Sequence, residues 1–306
     1  MLAAPAAPIP VHLNRLLLAA AAVASAALLA GASHATHGWA VLICALGFSY
    51  TANTLFALLH ESVHGVLQPN PAANEWMGRL AAAFFPTSLA IQRAYHYTHH
   101  RNNRSPGERF DYIEPGDIVW LKFAHWYSIL TGFYWLVATA GLVVYFFTPT
   151  ILRSRMLRAR GSRFARQTSS APYLAALDSV DPVRARLEIV AAFAFQWALY
   201  AAIGGTVVGW AACYLAFAVQ WSSLQYADHA FSALHPRDGA WNLRVNRVTR
   251  AFFLNYHLHL THHRDPSVPW IHLPRLTDPA TPQPRYLDVW LSMWRGPRPL
   301  PVEPGT

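Results

Sequence analysis

Three clusters of histidine hold most of the chemistry this chain could do. They read His60-Glu-Ser-Val-His64, His96-Tyr-Thr-His99-His100 and His259-Leu-Thr-His262-His263, and together they use eight of the 16 histidines. Residues three and four apart share one face of a helix. His60 and His64 can therefore reach one metal ion from one side. His96, His99 and His100 are expected to put three rings on one face, and the third cluster repeats the pattern. Imidazole suits iron, copper, zinc and nickel. Eight ligands exceed the three or four protein groups that a zinc ion takes, so the count points to two ions. An isolated histidine is most simply a core residue. Eight at helical spacing are not.

Other residues gather around these clusters. His229 follows the last apolar stretch and is the best candidate for a ninth ligand. His257 would point away from His259 on a helix and reads as structural. Carboxylates and amides commonly orient ligating imidazoles, and Glu61, Asn102, Asp228, Asn255 and Asp265 are placed to do so. Asp111 reads as an ordinary loop residue.

The elements that must position these groups are apolar. The chain is 54% hydrophobic and 13% charged, where soluble domains carry about 25% charged residues. Membrane embedding is the direct explanation. A net charge of +9 can signal nucleic-acid binding. Here the basic residues sit in blocks beside apolar stretches, which fits the cytoplasmic flanks of membrane helices and anionic lipid headgroups, with no nucleic-acid partner. Lys122 is the only lysine, read as the coding bias of a GC-rich bacterium. Cys44 and Cys213 lie inside apolar runs and read as small buried residues.

Residues 13–30 resemble the core of a signal peptide, but a retained first span is preferred because a second, 39–59, follows almost at once. The link 31–38 has no Lys or Arg, so it should face away from the cytoplasm. The second span then delivers His60 to the cytoplasmic face. Residues 80–91 are apolar but too short to span. Residues 118–148 are followed by Arg153, Arg155, Arg158, Arg160, Arg163 and Arg166. With both ends expected on the cytoplasmic side, this stretch reads as a hairpin or an interfacial piece. Residues 187–203 and 207–224 cross out and back, and residues 266–306 read as a polar C-terminal tail. The expectation is one domain over 1–306. It is all-α and integral to the membrane, with about four transmembrane helices plus a re-entrant or interfacial hairpin. It carries a histidine-rich metal site on the cytoplasmic face of a bacterial cytoplasmic (inner) membrane.

At the three boxes the sequence resembles the membrane fatty acid desaturase family, in which H-x(3–4)-H, H-x(2–3)-H-H and (H/Q)-x(2–3)-H-H occur in this order. The likeness covers about 39–274. It implies an O2-dependent oxidoreductase with two iron ions, a lipid acyl substrate, and an external electron donor of the ferredoxin, rubredoxin or cytochrome b5 type. Stearoyl-type members also use a histidine near the end of the last membrane helix with an Asn four residues before it, which implies His229 as a ligand and puts Gln225 in the Asn position. Many members read H-H-L-F-P at the third box, whereas this chain reads His262-His263-Arg264-Asp265-Pro266. Hydroxylases and carotenoid ketolases share the metal architecture and are the alternatives to a desaturase. A membrane zinc hydrolase using Glu61 as general base is the alternative from a different class. Trp221, Tyr226 and the aromatics from Trp126 to Trp135 could line an acyl channel. An interfacial aromatic belt is the preferred reading of them.

Overall fold

The computed structural model describes residues 7–159, 163–168 and 170–301. Arg160 of the basic run and residues 302–306 of the expected tail lie outside the described residues. Among the described residues the molecule is a bundle of helices with one pair of two-residue strands.

Two long helices open the chain, α1 (Val11–His34) and α2 (Gly38–Val63). Next come α3 (Pro71–Phe84) and α4 (Leu89–Asn102). Asn70 starts α3 by accepting from the Ala73 N–H at 3.0 Å, with Pro71 at the first helical position, the arrangement that suits an unpaired helix start. Ser88 caps α4 in the same way, accepting from Ile91. The stretch 80–91 is therefore the end of one helix, a turn and the start of another.

β1 (Tyr112–Ile113) leads to α5 (Val119–Leu130) and α6 (Phe133–Phe147), which meet at 97°. The corner is Gly132, with φ at +78°, a conformation glycine adopts without steric cost. A Cβ there would lie 2.6 Å from the Val219 nitrogen, so the corner is pressed against a neighbouring backbone. The aromatics of 126–135 divide: Phe133 is exposed as a belt residue would be, whereas the two tryptophans depart from the aromatic-belt expectation. Trp126 and Trp135 are buried; Trp126 donates through Nε1 to the Met293 carbonyl at 2.7 Å, and Trp135 stacks on Tyr214.

Short helices α7 (Arg155–Arg158), α8 (Arg163–Gln167) and α9 (Ser170–Ala176) precede α10 (Pro182–Ala202) and α11 (Val207–Ala227). Helices α1, α2 and α11 are long and apolar enough to cross a membrane, and the bent pair α5–α6 could supply a fourth span. The expected span 187–203 falls on α10 and its C-cap Ile203, and α10 is not among those three. Arg184, Arg186 and Glu188 occupy its first turns. Glu188 has a structural use, accepting from the Ser88 hydroxyl at 2.8 Å, the Ala90 N–H at 2.9 Å and Arg79 at 2.9 Å. It thus clamps the start of α4.

The chain ends with α12 (Arg247–Phe252), α13 (His259–Arg264), α14 (Leu273–Leu276), α15 (Tyr286–Met293) and β2 (Arg298–Pro299). The segment read as a polar tail folds back on the body. Val289 and Met293 join the core, and β2 pairs in parallel with β1, Tyr112 opposite Arg298.

Candidate metal centre

Nine histidines converge where α2, α4, α13 and the end of α11 meet. They fall into two groups of four, and within each the nitrogen atoms lie within 4.8 Å of one another. The first group is His60, His64, His96 and His262. The second is His99, His229, His259 and His263. His100 is the ninth; its Nε2 lies 2.9 Å from His96 Nε2 and 3.2 Å from His262 Nε2.

The second and third boxes do not keep their rings on one face, as their spacing suggested. Each divides its histidines between the two groups. Consecutive helical residues diverge by about 100°, so His262 turns to the first group while His263 and His259, one turn apart, hold the second. On α4, His96 serves the first group and His99 the second. One short helix can thus supply two ions.

The donor set fits metal. Two ligands about 2.1 Å from one ion and at right angles lie about 3 Å apart. His64 Nε2 and His96 Nε2 are 2.7 Å apart, close to that edge length. Hydrogen bonding alone explains the cluster poorly. His60 Nε2 is buried with no hydrogen-bond partner, a loss of about 1–3 kcal/mol for a buried polar group. Burial holds His96, His229, His259, His262 and His263 well below the ordinary histidine pKa, with neighbouring imidazoles adding to the effect. His64 is held at about 4 and His100 at about 2, again first through burial. Neutral imidazole is the form that binds a metal.

The residues expected to orient these rings are placed differently. Glu61 accepts the Trp270 backbone N–H at 3.0 Å. Asn255 donates to the Trp270 carbonyl at 3.2 Å and accepts from Arg250 at 3.0 Å. The Trp270 indole donates to Asn14 of α1 at 3.0 Å. Glu61 and Asn255 therefore staple Trp270, and with it the segment after the third box, to the bundle. Asn255 and Leu254 have φ of +59° and +47°, and this left-handed pair turns the chain from α12 into the third box. Asn102 donates back to Thr98 of its own helix at 2.8 Å. Gln225 accepts from the Tyr256 hydroxyl at 2.9 Å. Asp265 is exposed. Only Asp228 approaches a ligand, at 3.9 Å from His259 Nδ1. It is fully buried, neither carboxylate oxygen has a hydrogen-bond partner, and burial pushes its pKa well up.

Two ring partners were not legible. Glu108 Oε2 lies 3.2 Å from His99 Nδ1, and the Gly239 carbonyl lies 2.8 Å from His229 Nδ1. Asp111 is no ordinary loop residue: it is fully buried and takes both arms of the Arg104 guanidinium, at 2.9 and 2.8 Å.

The polar centre sits on an aromatic floor. His60 packs on Tyr256 at 5.0 Å between ring centroids, Tyr256 on Phe56 at 6.0 Å, and Phe56 on Trp221 at 5.4 Å. Tyr226 takes no part in that floor; its hydroxyl is held 2.9 Å from Asp111.

A comparison with curated proteins found no match. The family model described as fatty acid desaturase matches residues 37–294, a stretch that takes in all nine histidines. With most of its length matched, apolar helices of spanning length and two histidine groups able to hold metal, the chain belongs to the fatty acid desaturase family, an oxidoreductase family of the membrane known for iron-dependent chemistry on lipids.

Proposed function

We propose that the chain is an O2-dependent di-iron desaturase that introduces a double bond into the alkyl chain of an acyl-lipid, acyl-CoA or acyl-carrier substrate. The observation that carries this reading is the pair of four-imidazole groups packed side by side. When bound, two iron ions would supply reduction of dioxygen and removal of hydrogen from an unactivated methylene. The nine histidines hold the ions, and the floor of Phe56, Trp221 and Tyr256 offers the alkyl chain an apolar bed beside His60. The protein's part in such chemistry is to place the reacting carbon and exclude competing reactions. The basic residues beside the apolar stretches support a site facing the cytoplasm by the positive-inside rule, and the membrane in this reading is the bacterial inner membrane. Electrons come from a ferredoxin, rubredoxin or cytochrome b5 type of partner.

The zinc-hydrolase alternative needs a free general base. Glu61 already accepts the Trp270 N–H, which argues against that role.

The test is expression in a lipid-producing bacterium, with mass spectrometry of acyl chains and of added carotenoids. Loss of two hydrogens from an acyl chain is expected, and His262→Ala should abolish it. Gain of one oxygen would make the chain a hydroxylase, and gain of one oxygen with loss of two hydrogens in a carotenoid would make it a ketolase. Products unaffected by His262→Ala would overturn the catalytic assignment.

A further inference from the structure

The two histidine groups have different surroundings. Among the described residues, every hydrogen bond that a ligand imidazole makes outside the cluster falls on the second group: Glu108 on His99 and the Gly239 carbonyl on His229. The hydrogen-bond-range nitrogen contacts of first-group rings are with other imidazoles, as in His64 with His96 and His262 with His100. Of the two outside partners, Glu108 alone can carry charge, and it is only 6% exposed.

Its position is built rather than incidental. Glu108 lies on the loop joining α4 to β1. Arg104 and Asp111, both side chains fully buried, close that loop on itself. The Phe231 N–H donates to Asp111 at 2.6 Å. The Tyr226 hydroxyl, from the last turn of α11, accepts the Phe110 N–H at 2.8 Å and lies 3.1 Å from the Glu108 carbonyl. Asn103 donates to the carbonyls of Pro236 and Gly239, at 2.8 and 3.1 Å. The loop is thereby fixed both to α11 and to the segment whose carbonyl faces His229. A carboxylate so held accepts from Nδ1–H, keeps the proton on that nitrogen, and leaves the Nε2 lone pair directed at the other ligands. It also makes the ring a stronger donor.

We infer that Glu108 is a positioning residue for His99, and that this buried carboxylate makes the second histidine group the tighter of the two metal positions. The inference rests on the two-metal reading above. It assigns Glu108 no contact with substrate.

The test is anaerobic titration of the full chain, purified in detergent and stripped of metal, with cobalt(II), whose absorption spectrum reports the ligands of each bound ion. The native chain should take up two ions in steps at least about tenfold apart. Glu108→Gln keeps the size and removes the charge. It should weaken the tighter step by about 10–100-fold, the range for losing such a partner, shift that ion's spectrum, and leave the weaker step in place. Two equal steps in the native chain would overturn the inference, whether or not the variant folds. So would a Glu108→Gln protein that matches the native one, or one weakened equally in both steps. Uptake of a single ion by the native chain would instead remove the two-metal reading beneath it.

Discussion

The two histidine groups reach the same donor set by different routes. The first is carried by helices: His60 lies in α2 and His64 caps its end, His96 comes from α4 and His262 from α13. Its rigidity comes from packing. Asn74 of α3 donates to the Ser62 carbonyl at 2.9 Å, and Arg93 of α4 to the Val63 carbonyl at 3.2 Å, which fixes the end of α2 between its two ligands. The second group shares α4 and α13 but depends on chain outside them. His229 lies past the end of α11, and the partners of His229 and His99 sit on irregular segments outside the helices. A ligand in a long buried helix needs no private support. His229, two residues beyond the end of α11, and His99, in the last turn of α4, each have a partner on Nδ1 that a loop carries.

The comparison breaks most sharply at the buried pair behind the loop. Arg104→Met leaves Asp111 buried without its countercharge, and losing one partner of such a pair costs about 3–5 kcal/mol. A matching fall in stability to denaturant is expected, with the second ion lost before the first as metal is withdrawn. Simultaneous release of both would mean that the loop supports the whole cluster equally. A smaller effect is expected at Gly239. A Cβ there would lie 2.1 Å from Arg104 Cγ and 2.5 Å from the His235 carbonyl, so Gly239→Ala must shift the carbonyl that faces His229. Metal titration should show the second ion weakened by about tenfold, the lower end for such a partner, with the first unchanged.

The sequence made the ligands legible because helical spacing is a local property. His60 with His64, and His259 with His263, are each one turn apart, so a box can be recognised without knowing its neighbours. The division of His262 and His263 between two groups depends on where α2 and the end of α11 stand, and no local pattern carries that. The same limit explains the ring partners. Glu61 and Asn255 stand beside ligands in the chain, yet they hold Trp270. Glu108 stands nine positions from His99, and the turn at Ser105 together with the Arg104–Asp111 closure brings it back. Asp111 read as a loop residue because its partners Tyr226 and Phe231 are more than a hundred positions away. The helical membrane class followed from composition and from the length of the apolar runs. The role of Glu188 within 187–203 did not, because it belongs to α4's cap as much as to its own helix.

Metal content of the purified native chain tests the two-group account most directly. Elemental analysis of protein expressed with adequate iron should find two iron ions per chain, one for each group. A single zinc ion per chain with no iron would contradict it.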